Sequence, residues 1–220
     1  KAIVANYLAT ELVDPAFLAP SEYGALDLLL AIYAYAVQIY CDFSAYSDIA
    51  IGVAALLGYH FMRNFDQPYR AQSLQDFWRR WHMTLSRWLR DYVYIPLGGN
   101  RDGELRMLAN LVIVFLIGGL WHGAAWTFVV WGALHGVAIV VHRLWTKFGL
   151  AMAPILAVFL TFLFVNATWV PFRATDSATA MTLITAMAGF APSPDVVTLF
   201  AADWQWLTAA LALSAAIVWT

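Results

Sequence analysis

Charge is scarce in this chain. Asp, Glu, Lys and Arg make up 12% of its 220 residues, about half the share found in ordinary soluble domains. A soluble chain of this size must clothe its surface with polar groups. With 62% hydrophobic residues and a mean hydropathy of +0.68, it has too few to do so. Soluble nucleic-acid modules, disordered tails and collagen are thereby excluded. Cysteine is nearly absent too: the single Cys41 excludes a disulfide framework and any cysteine-rich metal site. HExxH, CxxC, the phosphate-binding P-loop, a strand-borne GxGxxG and the GxSxG elbow are all missing. Zinc and nucleotide hydrolysis therefore have no motif behind them, and no metal site is expected. Internal repeats and low-complexity tracts are lacking as well.

What the chain does have is long apolar runs, and a membrane helix needs about 20 such residues. They fall at 26–61, 107–122, 124–142 and 154–172, with a last partial run over 204–220. The expected architecture is all-α: a polytopic transmembrane helical protein with interfacial or re-entrant amphipathic helices over 62–106. The first run, 36 residues long, is expected to tilt or to break near its middle. The start at Lys1 and the apolar run reaching Thr220 read as an internal segment of a longer protein.

Eight of the twelve basic residues lie between Arg63 and Arg106, which makes that loop cytoplasmic by the positive-inside rule. Alternation then places residues 1–25 outside, Gly123 deep in the membrane or near its outer side, and Arg143 with Lys147 inside.

Three places interrupt the apolar pattern. In the first run, Gln38, Asp42 and Tyr46 share one helix face while Ser44 and Asp48 share another, so protein must surround this helix. A carboxylate at mid-membrane costs about 2.5–3.5 kcal/mol even on the lenient insertion scale. Asp42 and Asp48 therefore pair with loop arginines, act directly in catalysis or, with Tyr46, shape a polar tunnel.

The second place, SLQDFWRRWHMTLSRWLR, opens with Ser73 and Asp76 at capping-box spacing and predicts one amphipathic helix from Leu74 to Arg90. Trp78, Trp81 and Trp88 join the leucines in one sector, and Arg79, Arg80, Arg87 and Arg90 oppose them. His82 and Ser86 fall on the boundary. The arginine face suits either lipid headgroups or an anionic, nucleotide-bearing thioester.

The third is GGLWHGAAW, where His122 sits among Gly118, Gly119 and Gly123 at the end of a span. Intramembrane histidine is functional by default. The glycines let a substrate or a second backbone approach the ring, and Trp121 and Trp126 would wall a cavity and exclude water. His135 and His142 have apolar or interfacial neighbours and read as packing and anchoring. Two imidazoles buried among tryptophans suit acid–base work on a hydroxyl and transfer of a group that water would otherwise hydrolyse. That points to acyl transfer between a thioester and an alcohol. A transporter or channel would equally want Asp42 and Asp48 in mid-membrane.

The stretches FWRRWHMTLSRWLRDYVYIPLGGNR (77–101), GGLWHGAAWTFVVWGALHG (118–136), CDFSAYSDIAIGVAALLGY (41–59) and WVPFRATDSATA (169–180) resemble the membrane-bound O-acyltransferase superfamily. The similarity is greatest to its bacterial alginate O-acetyltransferase branch, with the teichoic-acid D-alanyl transfer protein as a cousin. The resemblance implies a multi-pass protein of the bacterial inner membrane. It matches His122 to the histidine of the family's WHG motif and His82 to that of RRWH, both read as catalytic. Asp42, Asp48, Tyr46, Trp78, Arg79, Arg80, Trp81, Ser86, Trp121 and Trp126 are the expected donor-binding or cavity residues. The implied partners are membrane lipid, acetyl-CoA or another acyl thioester as donor substrate, and a polysaccharide acceptor or a secreted acetyltransferase partner. No bound cofactor and no nucleic acid are expected, and transfer of D-alanine to teichoic acid is the alternative chemistry.

Overall fold

The computed structural model describes residues 1–190 and Ala212, and the described residues divide into two compact units. The apolar run expected at 204–220 lies outside the described residues, Ala212 apart. Four helices are long and apolar enough to cross a membrane, as a polytopic membrane protein requires.

The first unit holds residues 1–61 and the described residues from Trp169 onward. Helices α1 (Ala2–Leu8) and α2 (Asp14–Leu18), joined through a π-helical turn over Ala9–Val13, pack on α3 (Ala25–Leu56). Leu8, Leu12, Phe17, Leu28 and Ile32 form the buried seam. Of the tilt or break expected for the first span, the break does not occur: α3 runs unbroken for 32 residues. No proline interrupts it. It ends at Leu57 because Gly58, at φ +82°, takes the left-handed conformation. Tyr59 N–H then bonds the Ala54 carbonyl at 2.8 Å and Gly58 N–H that of Ala55 at 3.0 Å, which closes the helix.

The second unit, Met62–Thr168, is built on a helical hairpin. Helix α6 (Glu104–His122) and α7 (Trp126–Lys147) are joined by three residues and pack along their length. Nineteen residues of α6 rise about 28 Å, enough for the hydrocarbon core. The backbones approach so closely that a Cβ on Gly119 would lie 2.3 Å from the Phe128 carbonyl oxygen, and one on Gly132 2.3 Å from that of Phe115. Helix α8 (Pro154–Arg173) contributes its residues up to Thr168 to this unit and the remainder to the first. There Asp14 accepts from Arg173 at 2.6 Å, and α9 (Ser177–Met187) packs on α3. Asp176 caps α9 by accepting from Thr179 N–H at 2.8 Å, a bond that lowers its carboxyl pKa.

The single amphipathic helix expected over 74–90 is two. Helix α4 (Leu74–Arg80) and α5 (Met83–Leu89) are separated by extended Trp81 and left-handed His82, φ 43°. Ser73 caps α4 as its spacing predicts, accepting from Asp76 N–H at 3.1 Å. The break is set by a segment distant in sequence. Arg80 carbonyl accepts from Asp66 N–H at 2.9 Å, and Met83 N–H bonds the Asn64 carbonyl at 3.0 Å. The Asn64 side chain takes Thr84 N–H at 3.2 Å and the Thr84 hydroxyl at 3.0 Å. Trp81 is buried against Phe65 and stacked on Phe77.

Candidate active site

A cavity of about 320 Å³ lies within the second unit, bounded by α4, α5, the following turn, α6 and α7. On α6 it is lined from Leu111 through Val114, Phe115 and Gly118 to His122, a rise of about 17 Å along the helix. One end is polar: Gln75, Arg90, Tyr94, Asn100 and Arg143 line it. The middle is apolar, walled by Trp78, Leu85, Leu89, Phe115 and Trp131, and the far end holds His122. A second recess of about 400 Å³ shares Gln75, Leu111, Ile139 and Arg143 with the first and adds His142, Thr146, Lys147 and Glu104. Lys147 and Glu104 are joined by a salt bridge there.

Local structure explains how these groups come together. Arg90 and Tyr94 begin and end a π-helical turn, Arg90–Tyr94, which lets both residues face the cavity. The loop after it is pinned by buried Asn110, whose amide donates to the carbonyls of Leu97 and Gly99 at 3.1 and 3.2 Å. Tyr94 hydroxyl donates to Asn100 Oδ1 at 3.0 Å, so the two polar wall residues brace each other.

His122 is half-buried at the C-terminus of α6, edge-on to Trp131 with centroids 5.3 Å apart and stacked on Phe128 at 6.3 Å. Trp121 stands between the two expected catalytic histidines, 4.9 Å from His122 and 6.1 Å from His82. His82 is half-buried, and burial, helped by the neighbouring His122, pushes its pKa down to about 4. It is therefore a neutral imidazole at pH 7, able to donate one N–H but carrying no charge. Left-handed backbone is costly for a residue with a side chain and persists where surrounding contacts enforce it, often at functional sites. Ser86 lines the cavity, and its hydroxyl donates to the Trp81 carbonyl at 3.5 Å.

The structure places His122, Trp78 and Ser86 on the cavity; His82 and buried Trp81 do not line it, and Trp121, expected to wall it, is 59% exposed. It places Trp126 at the surface, 79% exposed, and gives the wall position to Trp131, which is 2% exposed. Arg79 and Arg80 do not line the cavity. Arg79 is exposed, and Arg80 pairs with Asp76 at 2.8 Å and Asp66 at 3.9 Å. The basic cavity residues are Arg90 and Arg143 instead. Asp42, Tyr46 and Asp48 lie in the first unit, exposed on α3, whereas Ser44 and Ser47 are buried. Asp48 pairs with Lys1 at 2.8 Å rather than with a loop arginine, and Asp42 is hydrogen-bonded by Gln38 one turn away.

Comparison with known proteins places the chain in one family. The family model for membrane-bound O-acyltransferases matches residues 20–155. The peptidoglycan O-acetyltransferase of Helicobacter pylori is 52% identical over 159 residues, which is 70% of this chain and 30% of the relative. The probable alginate O-acetylase of Azotobacter vinelandii is 46% identical over 193 residues, 86% of this chain and 38% of the relative. A teichoic acid D-alanyltransferase of Streptococcus thermophilus is 31% identical over 133 residues, 56% of this chain and 31% of the relative. The chain spans about a third of the length of the curated relatives it matches.

Proposed function

Because the chain belongs to the membrane-bound O-acyltransferase family, in its alginate O-acetylase-like branch, we propose that it carries the reaction centre of an O-acetyltransferase acting on exported polysaccharide. The acetyl group comes from a thioester donor such as acetyl-CoA. It passes to a hydroxyl of the polymer, directly or through a secreted partner protein, in a bacterial inner membrane. The supporting observation is the cavity: Arg90 and Arg143 at one end, aromatic walls between, and His122 at the other end.

The chemistry follows from that order of groups. The nucleotide phosphates of the donor rest at Arg143 and Arg90 on the cytoplasmic side, and the thioester arm runs between Trp78, Phe115 and Trp131. His122 takes the proton of the acceptor hydroxyl as its oxygen attacks the acyl carbonyl. The C–S bond then breaks, and the departing thiolate takes the proton back from the imidazolium. Neutral His82 offers an N–H to the developing oxyanion. The aromatic wall keeps water from competing with the acceptor. Exposed Trp88 and Tyr92, with Arg87 beside them, suit the depth of lipid headgroups.

Replacing His122 by Ala in the full-length protein tests this. Mass spectrometry of the cell's exopolysaccharides should lose one acetyl mass while the variant's membrane level stays normal. Unchanged acetylation would refute the assignment, and loss of a D-alanyl mass instead would move it to the teichoic-acid chemistry.

A further inference from the structure

His135 is the most deeply buried histidine among the described residues, 1% exposed at the middle of α7, and the chemistry above does not use it. Its sequence neighbours suggest simple packing. Its hydrogen bonds do not. Trp78 Nε1, from α4, donates to His135 Nδ1 at 3.2 Å. On the other side Thr168 Oγ1, from α8, lies 3.0 Å from His135 Nε2.

The direction of this chain is fixed by donor chemistry. An indole N–H can only donate, so Nδ1 is bare. The Thr168 hydroxyl proton goes to the Val165 carbonyl at 2.9 Å, so Thr168 Oγ1 receives the proton on Nε2. His135 is therefore neutral in one tautomer, and the order Trp78, His135, Thr168, Val165 ties α4, α7 and α8 together. A leucine could fill the same space without the cost of taking a polar ring out of water. What the histidine adds is an acceptor aimed at Trp78.

Trp78 forms part of the cavity wall, and His135 does not. The Trp78 ring meets Phe115 at 5.3 Å and Trp131 at 5.7 Å, and Trp131 is in turn edge-on to His122. The orientation of the Trp78 indole therefore sets the shape of the cavity between its basic end and His122. We infer that His135 is a positioning residue: it locks the Trp78 indole in the cavity wall and so determines how the acyl thioester lies against His122. This rests on the acyl-transfer reading for its consequence, but the lock itself can be observed separately.

The test uses full-length protein labelled with fluorotryptophan and purified in detergent, with the Trp78 resonance assigned from the Trp78→Phe variant. His135→Leu should shift or broaden the Trp78 fluorine signal and leave most other tryptophan signals in place. With acetyl-CoA as donor, its KM should rise about tenfold while kcat changes much less. Adding Trp78→Phe to His135→Leu should cost little more than either change alone. His135→Gln, which can accept from the indole and donate to Thr168, should recover most of the loss. If His135→Leu does not fold, Thr168→Val keeps the imidazole, removes its acceptor and should move the same signal and the same KM. An unmoved Trp78 signal, or losses that multiply in the double variant, overturns the inference. A moved signal in a protein that transfers no acetyl group upholds the lock and refutes the acyl-transfer reading.

Discussion

His122 and Trp131 meet edge to face, their ring centroids 5.3 Å apart and their planes at 85°. Trp131 is almost wholly buried, so the imidazole faces a dry wall on that side. Replacing Trp131 by Leu should thin the wall and admit water beside the thioester. Polysaccharide acetylation should then fall about tenfold while release of free thiol without acceptor rises. Parallel assays of acetyl transfer and thiol release check this. A fall in both together would show that Trp131 serves folding rather than water exclusion.

Arg143 makes a different prediction because it lies at the opposite end of the cavity from His122. A charge that binds the donor's phosphates equally in ground and transition states changes KM and leaves kcat alone. Arg143→Gln should raise KM for acetyl-CoA about tenfold, the loss of one charge-assisted contact. Wild-type KM should climb with added salt more steeply than the variant's. Initial rates over a range of donor and salt concentrations give both values.

The low pKa of His82 fixes a pH dependence of stability. Its folded value is about 4, below the ordinary 6.5, because burial disfavours the charged ring. From pH 6.5 downward the unfolded chain takes up a proton that the folded protein refuses until about pH 4. The contribution is whole above 6.5 and is withdrawn as the medium is acidified through that window. His82→Gln has no such proton to bind. The thermal stability of the wild type relative to this variant should therefore decline between pH 7 and pH 4.5. A constant difference across that range would contradict the assignment of His82 as a buried neutral ring.

The long apolar helices were legible because hydrocarbon imposes length and apolarity on every residue of a crossing helix. Runs at 107–122, 124–142 and 154–172 accordingly appear as α6, α7 and α8 with shifts of only a few residues at most ends. The break at His82 was not legible. The 3.6-residue pattern continues through it, and the groups that enforce it belong to Asn64 and Asp66. Arg143 and Trp131 were missed as cavity residues for a similar reason. Each has an ordinary helical context, and only the fold of α4, α5 and α6 around α7 makes a cavity there. His135 looked like packing because its neighbours along α7 are apolar, whereas its polar partners come from α4 and α8.

The glycines of the α6/α7 hairpin give the most direct test of how the site is held. A Cβ at Gly132 would stand 2.3 Å from the Phe115 carbonyl oxygen and 3.3 Å from Leu116 Cα, both backbone atoms that cannot swing aside. Gly132→Ala must therefore spread the two helices, at a cost of about 1–3 kcal/mol. The spreading also moves Trp131, one residue away, from His122. Gly52 is a control in another span, since nothing lies within 4 Å of its added Cβ. Alanine there should be neutral or slightly stabilising, because it favours the helix over glycine. In thermal unfolding of the purified full-length protein, Gly132→Ala should melt clearly below wild type and Gly52→Ala at or above it. Acetyl transfer should fall only in the former. Equal melting of the two variants would mean that the close approach of α6 and α7 does not hold His122 in place.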